Sequence, residues 1–292
     1  MAAWVLGVIG GSGLYDIEGL EDGRWTSVAS PFGAPSDDLF MGNLGDVRLV
    51  FLPRHGRGHR LPPTAVNARA NIDVLKRAGC TDILSLSAVG SLREALAPGD
   101  FVVVDQYIDR TFAREKSFFG EGLVAHVSMA HPVCPRLSAL AAAAGRDAGA
   151  RVVEGGCYLA MEGPQFSTQA ESALYRSWGC DVIGMTGMPE AKLAREAELP
   201  YASVAMVTDY DCWHERFAHV EVTQILEVMA ANAHKARALV RRLAVALPSS
   251  RAASPIDTCL DGALITPPAA RDGAMLANLS AVAGRVLSLD PA

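Results

Sequence analysis

A single α/β domain built on a twisted, mixed and partly closed β-sheet flanked by helices is the fold class this sequence points to, and three observations carry the α/β part of it. Short apolar, β-branched runs recur at 5–9, 47–52, 83–87, 101–104, 182–183 and 201–207, the length and composition of buried strands. Segments of helical period lie between several of them, at 65–78, 135–148 and 189–197. The longest helical pattern, 220–247, places Val222, Ile225, Leu226 and Met229 on one face and stops at Pro248. Half of the 292 residues are hydrophobic and no repeat interrupts the pattern, so one large core can form. The domain is expected over 1–247. Residues 248–255, rich in Ser and Pro, read as a linker. The remainder of 248–292 reads as a C-terminal tail, with an apolar piece at 263–266 and a helical stretch near 274–287, long enough to reach a neighbouring subunit.

The formal charge of -6 and the absence of a Lys/Arg run argue against a nucleic-acid or anionic-membrane surface. A small anion needs only one or two well-placed cations, so acidity in bulk leaves a phosphate site open. The six cysteines are scattered without CxxC spacing, which indicates neither a zinc site nor a compact disulfide framework. No stretch approaches the roughly 20 apolar residues that cross a bilayer, and the N-terminal apolar run is too short for a signal-peptide core. A cytoplasmic protein with free thiols and no metal is the expectation.

Chemistry concentrates at the ends of the apolar runs. The run 201–207 ends in Thr208-Asp209-Tyr210-Asp211. In an open α/β sheet the crevice beyond strand ends is where ligands bind, and a carboxyl group there accepts from an amino group or, protonated, donates to a ring nitrogen. Two acids after a strand also cap helices. Gly10-Gly11-Ser12-Gly13 follows the first run, and its glycines bring N–H groups and the Ser12 hydroxyl near an anion; it lacks the spacing of a dinucleotide or Walker loop. The second run empties into Pro53-Arg54-His55-Gly56, the third into Ser87-Ala88-Val89-Gly90-Ser91, and the fourth site is Gly184-Met185-Thr186-Gly187-Met188. Each alone reads equally as an ordinary turn. Four such ends together read as an anion site.

These motifs, with Asn67-Ala68-Arg69-Ala70-Asn71 and Glu162-Gly163-Pro164-Gln165-Phe166-Ser167-Thr168, stand in an order that resembles the 5'-methylthioadenosine phosphorylases of the trimeric purine nucleoside phosphorylase group, over about 8–247. The resemblance implies the twisted, largely closed sheet, a homotrimer or a hexamer made of two trimers, active sites near subunit interfaces, and phosphorolysis without a metal or organic cofactor, inorganic phosphate being a co-substrate. Carried over, Ser12, Arg54, His55, Ser87, the backbone N–H of Ala88 and Thr186 bind phosphate. Ser12 and Ser87 stand where many relatives have threonine. Met185 lies along the ribose; Phe166 and Ser167 meet the base, Asp209 faces N7 and Asp211 the 6-amino group. Val222, Leu226 and His126 enclose the 5' substituent, and the tail residues Leu264 and Ile265 complete a neighbour's pocket.

In the 6-oxopurine branch of that group, glutamate is typical at position 167 and asparagine at 209. A carboxylate against a purine O6 sets two acceptors face to face, roughly 1–3 kcal/mol when buried. The chain is therefore expected to cleave 5'-methylthioadenosine, with Asp209 entering protonated as the general acid at N7. The competing readings are a 6-oxopurine nucleoside or methylthioinosine phosphorylase and, outside catalysis, a nucleoside-binding protein.

Overall fold

The structure, a computed structural model, describes residues 4–11, 13–214 and 222–288. In chain order it comprises β1 (Val5–Gly10), β2 (Glu21–Thr26), β3 (Leu39–Leu44), β4 (Val47–Pro53), α1 (Ala68–Arg77), β5 (Asp82–Ser91), β6 (Phe101–Val104), β7 (Gln106–Asp109), α2 (Pro135–Asp147), β8 (Val152–Glu154), β9 (Cys157–Ala160), α3 (Gln169–Ser177), β10 (Val182–Gly184), α4 (Glu190–Glu196), β11 (Tyr201–Asp209), α5 (Val222–Ala246), α6 (Gly273–Asn278) and α7 (Gly284–Leu287).

All the strands belong to one mixed sheet. The central strands are covered on both faces, which is why they read as unbroken apolar runs. Along β11, Ala202, Val204 and Met206 point into a core shared with Leu137 and Ala141 of α2 and Leu239 and Leu243 of α5. Tyr201, Ala205 and Val207 point the other way, into a core shared with Ile72 and Leu75 of α1 and Leu193 and Ala194 of α4. The two-residue period of a strand makes one segment serve two cores.

The sheet branches at β5. On one edge β5 pairs with β11 along almost its whole length. On the other it pairs in parallel with β1 only from Asp82 to Ser85, and antiparallel with β10 only at Gly90 and Ser91. Residues 86–89 therefore have no strand neighbour on that side, and a gap opens in the sheet. Two bent ribbons close the far side: β6 runs into β7 and β8 into β9, with β6 paired to β11 and β9 to β10. The bend is held by the Asp105 carboxylate, which accepts from the amide of Gly156 at 2.9 Å.

The tail packs on its own chain. Leu260, Ala263, Leu279, Val282 and Ala283 are buried in the α1–α4 core, Trp4 Nε1 donates to Pro248 O at 2.9 Å, and Arg251 pairs with both Asp82 and Asp257. Leu264 bridges Ala125 in an antiparallel arrangement. The single helical stretch expected near 274–287 is two short helices, and the expected helix 65–78 is a 3-10 turn, Pro63–Ala65, followed by α1, whose first turn is capped by the Asn67 side chain accepting from Ala70 N.

Candidate active site

Beyond the end of β4 lies a cleft lined by Arg54, His55, Arg114, Met185, Thr186 and Glu190 among others. Arg54 follows β4 directly and is almost fully buried. Its Nε donates to Glu190 Oε1 at 2.5 Å, its Nη2 to Ser85 Oγ at 2.7 Å and Glu190 Oε2 at 3.1 Å, and its Nη1 to Leu86 O at 2.9 Å. Nη2 also lies 3.4 Å from Ile9 O. A guanidinium has five N–H groups, so partners among the described residues leave one Nη1 hydrogen over. Burial opposes both charges, and the mutual attraction outweighs it: Arg54 is pushed above and Glu190 below its ordinary range.

His55 is neutral here. Burial, followed by the charge of Arg54, pulls its pKa down to about 4. Nδ1 lies 2.9 Å from Leu61 O, which only accepts, so Nδ1 carries the hydrogen and Nε2 is left as an acceptor. Its ring stacks on His59 at 4.4 Å. Thr186 is placed by Tyr158, whose hydroxyl lies 3.0 Å from Thr186 Oγ1. That contact needs a glycine two residues earlier: a Cβ on Gly184 would stand 2.1 Å from the Tyr158 hydroxyl oxygen.

Ser87 and Ala88 are not at a strand end, as the sequence suggested, but within β5, opposite Ala205 and Met206. They nevertheless fall in the unpaired stretch 86–89, which is what leaves the backbone of Ala88, an exposed residue, open to a ligand.

At the far end of β11 a bulge shifts the register between Val207 and Asp209. Val207 O is held by Asn232 Nδ2 and Gly99 N, both at 2.9 Å. Asp209 Oδ1 accepts from Asp211 N at 2.8 Å, and Oδ2 lies 2.7 Å from Thr208 Oγ1. The carboxyl rests against Gly90 of β5, where a Cβ would be 3.1 Å from Oδ1. Asp211 is buried, and its pKa is raised by desolvation first and by the neighbouring Asp209 charge. Ser167 is buried beside it, its carbonyl accepting from Cys212 Sγ at 3.4 Å, while the Phe166 ring is exposed.

Residues 5–244 match the phosphorylase superfamily. The chain belongs to that superfamily. Within it, the chain is 62% identical over 285 residues to S-methyl-5'-thioadenosine phosphorylase of Cereibacter sphaeroides, covering 97% of this chain and 98% of the relative. It is 60% identical to the enzyme of the same name from Rhodospirillum rubrum, covering 97% of each. Among solved structures it superposes on a methylthioadenosine phosphorylase from an antarctic soil metagenomic library with a TM-score of 0.92, at 44% identity and 97% and 99% coverage. A variant of the Schistosoma mansoni adenosine/methylthioadenosine phosphorylase, solved in complex with methylthioadenosine, superposes with a TM-score of 0.77 at 36% identity, covering 96% and 98%.

For this superfamily member, the structure gathers Arg54, His55, Met185 and Thr186 in one cleft, with Ser87 and Ala88 following Leu86 of β5, whose carbonyl accepts from Arg54. Asp209, Asp211 and Ser167 cluster at the end of β11, where Asp209 lies opposite Gly90 of β5, the strand whose Leu86 carbonyl accepts from Arg54. His126 is exposed, on the segment paired with the tail, and does not line this cleft. Ser12 lies outside the described residues, as do the side chains of Val222 and Leu226.

Sequence reasoning missed Glu190, Tyr158, Arg114 and Glu162 as parts of the site. Arg114 holds the 185–188 loop from beneath: Nη1 donates to Met185 O at 2.8 Å and Met188 O at 2.9 Å, Nη2 to Glu162 O at 2.7 Å, and Nε to Glu162 Oε1 at 3.1 Å. The Glu162 carboxylate also accepts from Thr64 Oγ1, Phe112 N and Ala113 N. Although burial works against it, those four donors hold Glu162 down to about 2. Glu162 opened one of the motifs above, while Glu190 stands just beyond another as the first residue of α4, where a carboxylate reads as an ordinary helix-start acid.

Proposed function

We propose that this chain cleaves 5'-methylthioadenosine with inorganic phosphate, giving adenine and 5-methylthioribose 1-phosphate. The observation that carries the reading is a buried guanidinium, with one N–H left over among the described residues, bonded to Leu86 of β5, and a carboxyl group at the end of β11 opposite Gly90 of the same strand. The names of the relatives support the choice of substrate, as does the methylthioadenosine complex of the Schistosoma mansoni variant.

In the proposed reaction the C1'–N9 bond breaks with its electron pair passing to the purine, the Asp209 proton goes to N7, and a phosphate oxygen bonds to C1' from the opposite face. Phosphate is held by Ser12, Arg54, His55, Ser87, the N–H of Ala88 and Thr186, and its charge stabilises the oxocarbenium-like transition state. With Nδ1–H committed to Leu61 O, His55 meets phosphate either as an acceptor from its P–OH group or after taking up a proton. Phe166 covers the purine face, Ser167 and Asp211 read its edge, and Met185 lies along the ribose. Val222 and Leu226 form the apolar wall for the methylthio group. His126 and the exposed Ile265 beside it serve the site of a neighbouring subunit in a homotrimer or a hexamer, which accounts for their distance from this chain's own cleft. No cofactor is required. The setting is cytoplasmic purine and methionine salvage.

Chromatography of products from methylthioadenosine, methylthioinosine, adenosine and inosine, each with and without phosphate, tests the reading. Free adenine appearing from methylthioadenosine only when phosphate is present is the expected result. Equal turnover of methylthioinosine, or release without phosphate, overturns it.

A further inference from the structure

Thr208 Oγ1 stands 2.7 Å from Asp209 Oδ2 and 3.1 Å from Val89 O. A hydroxyl has one hydrogen, and a carbonyl oxygen can only accept. The two contacts therefore cannot both be hydrogen bonds donated by Thr208 at one time. The other carboxyl oxygen is already committed, because the backbone amide at Asp211 donates to Oδ1 and has no other mode. Oδ2 is the oxygen left to take a proton, and a protonated Oδ2 is a far poorer acceptor than a peptide carbonyl.

We propose that the Thr208 hydroxyl is a two-position hydrogen bond that follows the proton of Asp209, donating to Val89 O while residue 209 is an acid and turning to Oδ2 as that proton leaves for purine N7. The inference rests on Asp209 being the leaving-group acid. The balance is simple: Oδ2–H breaks, N7–H forms, the glycosidic electron pair enters the ring, and the Thr208 hydrogen stays on its own oxygen and only rotates. The hydroxyl thus stabilises the carboxylate as charge develops, an interaction stronger in the transition state than before it. Thr208 is a positioning residue, buried, with its backbone fixed by the bulge and by the two donors on Val207 O.

Among the described residues, the charged and titratable groups around this carboxyl are Tyr210, Asp211 and Cys212 on its own loop, with Glu171 of α3 acting on Cys212, and Asp211 and Arg110 acting on Tyr175 of α3. β5 and β10 face it with Val89, Gly90 and Ile183, and α5 reaches the bulge with Asn232, none of which titrates.

The test is the pH profile of kcat for methylthioadenosine at saturating phosphate, in the full chain and in Thr208→Val, Thr208→Ser and Thr208→Cys, with Asp209→Asn as control. Thr208→Val is expected to lose about ten- to a hundredfold in kcat. Its alkaline limb should move up by about one pH unit, since without the donor the acid form at 209 persists to higher pH. Thr208→Ser should keep both near the parent values, and Thr208→Cys, a weaker donor, should fall between; it carries the test if the valine variant does not fold. An unmoved limb in both Val and Cys variants overturns the proposal and marks Thr208 as a merely structural tie to β5. Full activity in Asp209→Asn instead overturns the acid role of Asp209, whatever residue 208 does.

Discussion

Arg54 and Glu190 form a buried ion pair, Nε to Oε1 at 2.5 Å, with side-chain exposures of 4% and 5%. Breaking such a pair by neutralising one partner leaves an uncompensated charge and costs about 3–5 kcal/mol. Glu190→Gln is expected to lose that much in urea unfolding and to bind phosphate differently. Added phosphate should stabilise the variant more than the parent, because an anion beside Arg54 replaces part of the lost charge. A variant as stable as the parent in phosphate-free buffer would show that the pair contributes nothing.

Two partly or fully buried groups give stability opposite dependences on pH. His55 has an ordinary value of 6.5 and about 4 in the folded chain, so between these the unfolded chain binds more protons. Its contribution is full above 6.5 and is lost as the pH falls toward 4. Glu196 moves from 4.5 up to about 7, through burial that its bonds from Phe118 N and Ser117 Oγ only partly offset. Its contribution is full below 4.5 and is lost as the pH rises through 7. Melting temperatures across pH 4–8 should show Glu196→Gln gaining on the parent toward pH 8 and matching it at pH 4, while His55→Gln loses the acid-side slope. Parallel curves for parent and variants would contradict both assignments.

Gly184→Ala places a Cβ 2.1 Å from the Tyr158 hydroxyl oxygen, so either Tyr158 or the loop carrying Thr186 must shift. The expected outcome is a phosphate KM raised about tenfold, equivalent to roughly one lost hydrogen bond, with Tyr158→Phe changing it less. The measurement is initial rate against phosphate concentration. An unchanged KM in Gly184→Ala would mean that Thr186 does not hold phosphate.

Ending the chain after Leu247 removes the buried Leu260, Leu279 and Val282 and deprives Asp82 of Arg251. The shortened chain should melt at lower temperature and bind a hydrophobic dye. If it melts like the parent and keeps its activity, the tail is an appendage rather than part of the core.

The central strands were legible because both of their faces are buried, so burial wrote itself into an unbroken apolar run. β2, with mostly exposed residues in Glu21–Thr26, carries no such mark, and β3, β7, β8 and β9 are too short or too mixed to stand out. The small residues 87–91 looked like a turn because Ser, Ala and Gly favour turns locally. In β5 they are small for another reason: Gly90 leaves room for Asp209, and Ser87 and Ala88 border the gap.

What the sequence by itself determined is the set of donors and acids placed after apolar runs: Arg54, His55, Ser87, Thr186, Asp209 and Asp211, and from their order the superfamily. What only the tertiary structure decided is how many of those groups remain free to act. Among the described residues, Arg54 has one N–H left because Glu190, 136 residues away, takes two of its bonds. The loop carrying Met185 is fixed by Arg114, 71 residues away, and the Thr208 hydroxyl is shared between Asp209 and Val89, 119 residues away. Local sequence sets which groups are available, but a hydrogen bond is spent on whichever partner the fold brings within about 3 Å, and that choice has no local signature.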